Sequence, residues 1–274
     1  MFLRCGRFSL PLERPLVMGV LNVTPDSFSD GGRFMDRDAA VAHARRMVEE
    51  GADLLDVGGE STRPGAQAVS EDEELRRLMP VLEALADLPV PVSVDTRRVR
   101  VMRQALAAGA SMINDVQALQ AAGALEAVAA SDCAVCLMHM KGDPRTMQKD
   151  PQYRDVVAEV GAFLASRIAA AQTAGIARER LAVDPGFGFG KALAHNLELL
   201  RRLGELPVHG VPLLVGLSRK SMLGAITGRP AADRLAPSIA AALLAARHGA
   251  KILRVHDVGE TRDALAVWQA LGTA

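Results

Sequence analysis

The sequence predicts an α/β fold, a (β/α)8 barrel in a single domain. Three observations point there. Short apolar runs alternate with helical stretches, eight such runs recur across about 250 residues, and no Pro-, Gly- or Ser-rich linker divides them. The first run, "RPLVMGVLN", precedes a stretch from Asp36 to Gly51 in which Ala40, Val41, Ala44, Met47 and Val48 recur at helical spacing, with Asp36 as cap and Gly51 as stop. "DLLDV" then precedes the helical "EDEELRRLMPVLEALAD", "PVSVD" precedes "RRVRVMRQALAAG", and "SMIND" precedes "GALEAVAAS". "CAVCLMH" leads to a long helix with Val156, Val157, Val160, Phe163, Leu164 and Ile168 on one face. "RLAVD" is followed by a helix from about His195 to Leu203, and "PLLVGLS" and "KILRV" supply the last two strands. Residues 1–14 read as an N-terminal extension across the barrel's bottom or rim, within one domain of 274 residues.

Composition narrows the function. The chain is 49% hydrophobic, enough for a large core, and its 32 Lys plus Arg balance 32 Asp plus Glu. Without a global positive field, nucleic acid and anionic membrane surfaces are not expected partners, and any anion site must be local. The N-terminal apolar stretches are broken by Arg4, Arg7, Glu13 and Arg14, well short of the roughly 20 residues of a membrane span, so a cytoplasmic protein is expected. Cys5, Cys133 and Cys136 are too few for a disulfide scaffold. In a strand, Cys133 and Cys136 would face opposite sides of the sheet, which argues for buried thiols rather than a redox or zinc pair.

The polar residues stand where the apolar runs end: Asn22, Asp56 and Glu60, Asp95, Asn114 and Asp115, His139, Asp184, Ser218 and Lys220, then Arg254 and His256. In a (β/α)8 barrel that rim is the active-site face. Helix capping accounts for single Asp or Asn residues but not for Lys220, Arg254 and His256 after apolar runs. Asp95, Asn114 and Asp184 are acceptors in a partly dry mouth, each wanting a donor such as the amidine-like edge of a flat heterocycle. Arg63, Arg254 and His256, with Thr62 and Asn22, suit a pyrophosphate or carboxylate, and Lys220 can serve either group. His139 reads either as a satisfied structural histidine or as a ligand.

"DPGFGFGK" spaces its glycines G-x-G-x-G rather than GxGxxG, and "GLSRKS" lacks the glycine before the Lys of a phosphate-binding loop. No HExxH, EF-hand or GxSxG pattern occurs.

Taken together, "MGVLNVTPDSFSDGG", "DVGGESTRPGA", "SVDT", "INDV", "MHMKGDPRTMQ", "DPGFGFGK", "GLSRKSMLG" and "RVHDV" resemble, in order from residue 16 to residue 258, the signature blocks of the dihydropteroate synthase family of folate-pathway enzymes. The resemblance implies a barrel, usually homodimeric, that joins 6-hydroxymethyl-7,8-dihydropterin diphosphate to 4-aminobenzoate and releases pyrophosphate. Carried over by position, it implies pterin contacts from Asp95, Asn114, Asp184, Lys220 and a stacked Arg254. It places the diphosphate and its Mg²⁺ on Asn22, Thr62, Arg63, Arg254 and His256, with Asn22 the main protein contact of the metal and Asp30 assisting. It places 4-aminobenzoate among Phe28, Arg63, Pro64, Phe189, Ser218 and Lys220.

The implied chemistry is loss of pyrophosphate before attack, leaving a dihydropterin methylene cation that the neutral arylamine captures. The protein then contributes electrostatics and exclusion of water rather than a nucleophile. The "NVTPDSFSDGG" loop is expected to close over the diphosphate with "STRPGA", with Gly31 and Gly32 as hinges. Departures from the family pattern are slight: Arg97, Arg98 and Val99 follow "DT", and Gln117 follows "INDV". A methyltransferase of the pterin-binding barrels would need the acceptor trio but not the anion set. A catalytically silent pterin-binding paralogue could dispense with Asn22, Arg63 or Lys220.

Overall fold

A computed structural model describes residues 1–23, 33–60, 69–143, 146–208 and 210–272, with backbone only at 33–36. An antiparallel hairpin, β1 (Phe2–Cys5) and β2 (Phe8–Pro11), comes first, turning at Gly6 with φ +56°. Eight strands follow: β3 (Leu16–Asn22), β4 (Leu54–Gly58), β5 (Val92–Asp95), β6 (Met112–Asp115), β7 (Ala134–Met138), β8 (Leu181–Asp184), β9 (Leu213–Val215) and β10 (Ala250–Val255). They close a parallel barrel in chain order, with β10 pairing back to β3. The barrel expected from the alternation of apolar runs and helices is the one found.

Helices cover its outside: α1 (Arg33–Glu49), α2 (Glu71–Ala84), α3 (Val99–Ala107), α4 (Ala124–Ala129), α5 (Val156–Thr173), α6 (Leu193–Arg201), α7 (Ser221–Thr227), α8 (Leu235–Arg247) and α9 (Val258–Ala270). Two boundaries differ from the sequence reading. Helix α1 begins at Arg33, so Asp36 lies in its first turn instead of capping it, and α6 starts at Leu193 and ends at Arg201 because Leu203–Glu205 tightens into a separate 3₁₀ turn. Sequence signals set other starts directly. Ser70 accepts from the Glu73 amide at the head of α2, and Asp155 accepts from the amides of Val157 and Ala158 at the head of α5.

Side chains alternate along each strand, so the barrel carries two separate cores. Outward residues such as Val17, Leu55, Val94, Ile113, Val135 and Val183 pack under the helices. Inward residues Met18, Leu54, Met112, Ala134, Cys136, Ala182, Leu214 and Ile252 form a second cluster with Leu3, Cys5 and Leu12 of the N-terminal segment. The hairpin therefore lies over the N-terminal end of the barrel, tied to it by the Gly6 amide donating to the Asp132 carbonyl. Cys133 belongs to the outer core and Cys136 to the inner one, as the alternation of a strand requires, and all three cysteines are free and buried. Burial pushes the Cys5 thiol up to about 12, with Cys133 adding to the effect, so Cys5 is unreactive. Among the described residues no helix is long and apolar enough to cross a membrane.

Candidate active site

Four inward-facing rows that are apolar at the bottom of the barrel turn polar at the top. On β4 Leu54 is followed two positions later by Asp56, on β6 Met112 by Asn114, on β8 Ala182 by Asp184, and on β10 Ile252 by Arg254. On β5 the inward pair is Ser93 and Asp95. The register sets Asn22, Gly58, Asp95 and Asn114 abreast on four neighbouring strands, and Gly58 leaves the space between Asn22 and Asp95 open. Asp115, adjacent in sequence to Asn114, turns outward and accepts from the amides of Gln117 and Leu119, which is the bland capping role.

Arg254 organises the centre. Its Nε donates to Asp56 Oδ2 at 2.6 Å and its Nη2 to Asp95 Oδ2 at 3.1 Å, while Asn114 Nδ2 donates to the same Asp56 oxygen at 3.0 Å. The two acids hold the Arg254 guanidinium's pKa up despite its burial. Asp95 is pushed upward chiefly by desolvation, against the pull of Arg254, and Asp184 is raised by burial although Lys220 and the Gly186 amide oppose it. Three buried polar atoms here, Asp56 Oδ1, Ser93 Oγ and Asn114 Oδ1, receive no hydrogen bond from the described residues. Such atoms are costly to leave dry and unpaired, so the mouth is built to meet donors.

A second cluster faces them. Lys220 Nζ donates to the Phe187 carbonyl and lies 4.4 Å from the centre of the Phe189 ring, and desolvation brings its ammonium down to about 8. Ser218 Oγ lies 2.9 Å from His256 Nδ1 and accepts from the His256 amide at 3.3 Å, which orients the imidazole. Lys220 is aimed by its neighbour Arg219, held at φ +58° by an ion pair to Asp257 and by the Ser238 hydroxyl accepting from its amide.

Of the residues singled out from sequence, Asn22, Asp95, Asn114, Asp184, Phe189, Ser218, Lys220, Arg254 and His256 all lie at the same end of the barrel. Phe28, Asp30, Gly31, Gly32, Thr62, Arg63 and Pro64 lie outside the described residues. His139 has the structural role: it is 5% exposed, its ring meets Phe163 edge-on, and Lys191 Nζ stands 2.9 Å from Nδ1. Sequence reasoning set Asp56 on the rim without assigning it a ligand and gave no role to Ser93 or Lys191. Asp56 and Ser93 carry a positional signal, since each stands on the inward parity of its strand. The Phe187 carbonyl carries none.

Among the described residues no three His, Cys, Asp or Glu side chains could together cage a metal ion. The amide oxygen of Asn22 is a hard donor at the mouth, a donor set that fits Mg²⁺ held mainly through phosphate oxygens and water.

This geometry agrees with what the chain is similar to. A family profile described as "Pterin binding enzyme" matches residues 18–256. The chain belongs to the dihydropteroate synthase family of pterin-binding enzymes. The dihydropteroate synthase of Neisseria meningitidis serogroup C is 53% identical over 274 residues, covering 98% of this chain and 97% of the relative. A Xanthomonas albilineans dihydropteroate synthase solved with 4-aminobenzoic acid superposes with TM-score 0.94 at 57% identity, covering 100% of this chain and 98% of that one. The same organism's enzyme in complex with 7,8-dihydropteroate gives TM-score 0.91 at 54% identity, with both chains covered in full.

Proposed function

We infer that the protein is a dihydropteroate synthase, condensing 6-hydroxymethyl-7,8-dihydropterin diphosphate with 4-aminobenzoate to give 7,8-dihydropteroate and pyrophosphate. The observation that carries the assignment is the set of unsatisfied acceptors on β4, β5 and β6, in a chain that matches dihydropteroate synthases along its whole length. A dihydropterin edge offers ring and amino N–H donors to Asp56, Asp95, Asn114 and Asp184. Arg254, drawn inward by Asp56 and Asp95, stands beside the pterin plane more readily than out at the diphosphate.

In the reaction the bond from the pterin methylene to the diphosphate oxygen breaks, the electron pair leaving with pyrophosphate, and the arylamine nitrogen then bonds to that carbon and gives up one N–H proton to the released pyrophosphate or to solvent. The positive charge that develops on the pterin faces the carboxylates of Asp56, Asp95 and Asp184, preorganised acceptors that need no rearrangement at that moment. His256, oriented by Ser218, and the sequence-assigned Asn22, Thr62, Arg63 and Asp30 bind the departing diphosphate. Mg²⁺ carried in with the diphosphate and meeting Asn22 would neutralise charge on the leaving group. Lys220, Phe189, Ser218, Phe28, Arg63 and Pro64 receive 4-aminobenzoate, and the apolar floor beneath keeps water from competing with the amine.

The protein works as a homodimer, a reading supported by exposed apolar side chains on the later helices, Ile226, Leu235, Leu244 and Val267 among them. Its free, buried thiols suit a reducing, cytoplasmic setting.

The test is pyrophosphate release by the purified protein with Mg²⁺ and dihydropterin diphosphate, with and without 4-aminobenzoate, while dihydropteroate is followed. Equal amounts of dihydropteroate and pyrophosphate are expected. Tight binding of the pterin diphosphate with no dihydropteroate formed would make the protein a silent pterin binder.

A further inference from the structure

The segment Asp184–Lys191 is the motif whose G-x-G-x-G spacing fits no nucleotide loop. Its three glycines all sit in the left-handed region, Gly186 at φ +70°, Gly188 at +78° and Gly190 at +65°. A Cβ at Gly186 would overlap the His139 carbonyl oxygen, and one at Gly190 would overlap that of Lys141, so the segment lies directly on the backbone leaving β7. What fastens it there is Lys191. Its side chain is 2% exposed, and its Nζ reaches His139 Nδ1 at 2.9 Å, the Gly186 carbonyl at 2.9 Å and the Phe189 carbonyl at 3.1 Å.

Three acceptors match the three N–H bonds of an ammonium. With Lys191 charged, His139 must be neutral, with Nδ1 as the acceptor and the proton on Nε2. Burial lowers His139 to about 3, with the Lys191 charge adding to the effect, so the imidazole stays neutral. Burial pulls the Lys191 ammonium down to about 7 although the Asp184 charge opposes it, so a cation anchored this way, away from any direct carboxylate hydrogen bond, is an expensive means of holding a loop that several other bonds also hold. What distinguishes it is which atoms it fixes. Gly186 and Phe189 flank the Phe187 carbonyl, and that carbonyl and the Phe189 ring are the two groups on the Lys220 ammonium.

The geometry points to Lys191 as a positioning residue for the second half-reaction: through His139 and two carbonyls it shapes the 186–189 turn so that Phe187 and Phe189 aim Lys220 at 4-aminobenzoate. This assignment rests on the synthase reading for its kinetic consequence, but not for its structural one. Of the pterin contacts, Asp56, Asp95 and Asn114 sit on strands that Lys191 does not touch, while Asp184, whose Oδ1 accepts from the Gly186 amide at 2.7 Å, and Lys220 border the turn, so pterin binding keeps most of its contacts when the anchor is lost.

The experiment compares wild type, Lys191→Met, His139→Leu and His139→Asn, the last keeping an oxygen acceptor where Nδ1 stood. In Lys191→Met and His139→Leu, kcat/KM for 4-aminobenzoate is expected to fall at least about tenfold, the scale set by small misplacement of a reacting group, while the Kd for dihydropterin diphosphate stays within about threefold. His139→Asn should recover most of the loss. Amide hydrogen exchange at Gly188 and Phe189, read without substrates, should rise in the first two variants and stay near wild type in the third. Unchanged kinetics and exchange in Lys191→Met would overturn the assignment, as would His139→Asn failing as badly as His139→Leu. Should Lys191→Met not fold, the two His139 variants decide the matter alone. If wild type forms no dihydropteroate, the synthase reading fails, whereas the exchange pattern still judges the anchor.

Discussion

The guanidinium of Arg254 lies between Asp56, which is fully buried, and Asp95, so its removal leaves two acids in the barrel without their cation. Arg254→Met is therefore expected to lower stability by about 3–5 kcal/mol at pH 8, the range for one-sided removal of a buried pair, as well as to abolish most activity. Urea unfolding at pH 8 and pH 5 checks the origin of the loss: burial already raises Asp95, which takes up a proton more readily once the cation is gone, so the deficit should shrink at the lower pH. A deficit independent of pH would assign the loss to packing. His139 has its own pH signature. Its folded pKa of about 3 is below the ordinary value of 6.5, so between those limits the unfolded chain binds a proton that the folded chain refuses. Stability is unaffected by this group above about pH 6.5 and falls by about 1.4 kcal/mol for each unit below it, roughly 2 kcal/mol by pH 5. His139→Asn should flatten that part of the stability profile, which denaturant titrations from pH 7 to pH 5 would reveal.

At the scale of elements, the parity of the strands explains what could and could not be seen from the chain alone. All eight barrel strands were legible because each is a short apolar run ending in a polar residue. The opposite fates of Cys133 and Cys136 followed from alternation. The same parity puts Ser93 in the mouth beside Asp56, which the rim pattern already places there, but a serine inside an apolar run carries no signal of its own. The hairpin is not legible in the sequence even though Gly6 marks its turn, since two four-residue strands, with Arg4 in the first and Arg7 in the turn between them, give too little periodicity. Helix α1 starts earlier than Asp36 because capping residues also occur in first turns. The Phe187 contact is a backbone carbonyl and leaves no trace in residue type. Outward positions make a separate prediction. Gly19 on β3 faces Met47, Leu55 and Val258, and a Cβ there would come within 2.8 Å of the Met47 sulfur. Gly19→Ala should cost about 1–3 kcal/mol of stability through overpacking and leave KM for both substrates unchanged, because nothing on that face reaches the mouth. Thermal unfolding and steady-state kinetics on one preparation test both halves.

Across the whole molecule, the barrel is polarised along its axis: an apolar plug at the hairpin end, then carboxylates, amide and guanidinium, then the rim cations. The order matters physically, because the acceptors in the middle can be strong only if water does not reach them from below. Leu3, fully buried against Met18, Met112 and their inward neighbours, is part of that plug. Leu3→Ala is expected to cost about 2–4 kcal/mol by leaving a cavity. Removal of one methyl-rich side chain so far from the mouth should not move the carboxylates, so kcat is expected to stay within about twofold of wild type, a change of under 0.5 kcal/mol in the barrier. Ligand binding to the folded state alone should then return part of the loss, by about 2.7 kcal/mol at a pterin diphosphate concentration a hundredfold above its Kd. Thermal melts with and without that ligand, beside kcat at 25 °C, separate the two possibilities. A stability loss that the ligand offsets, at unchanged kcat, makes the plug a support independent of the chemistry; a fall in kcat matching the fall in stability would mean that water entering through the floor reaches the pterin.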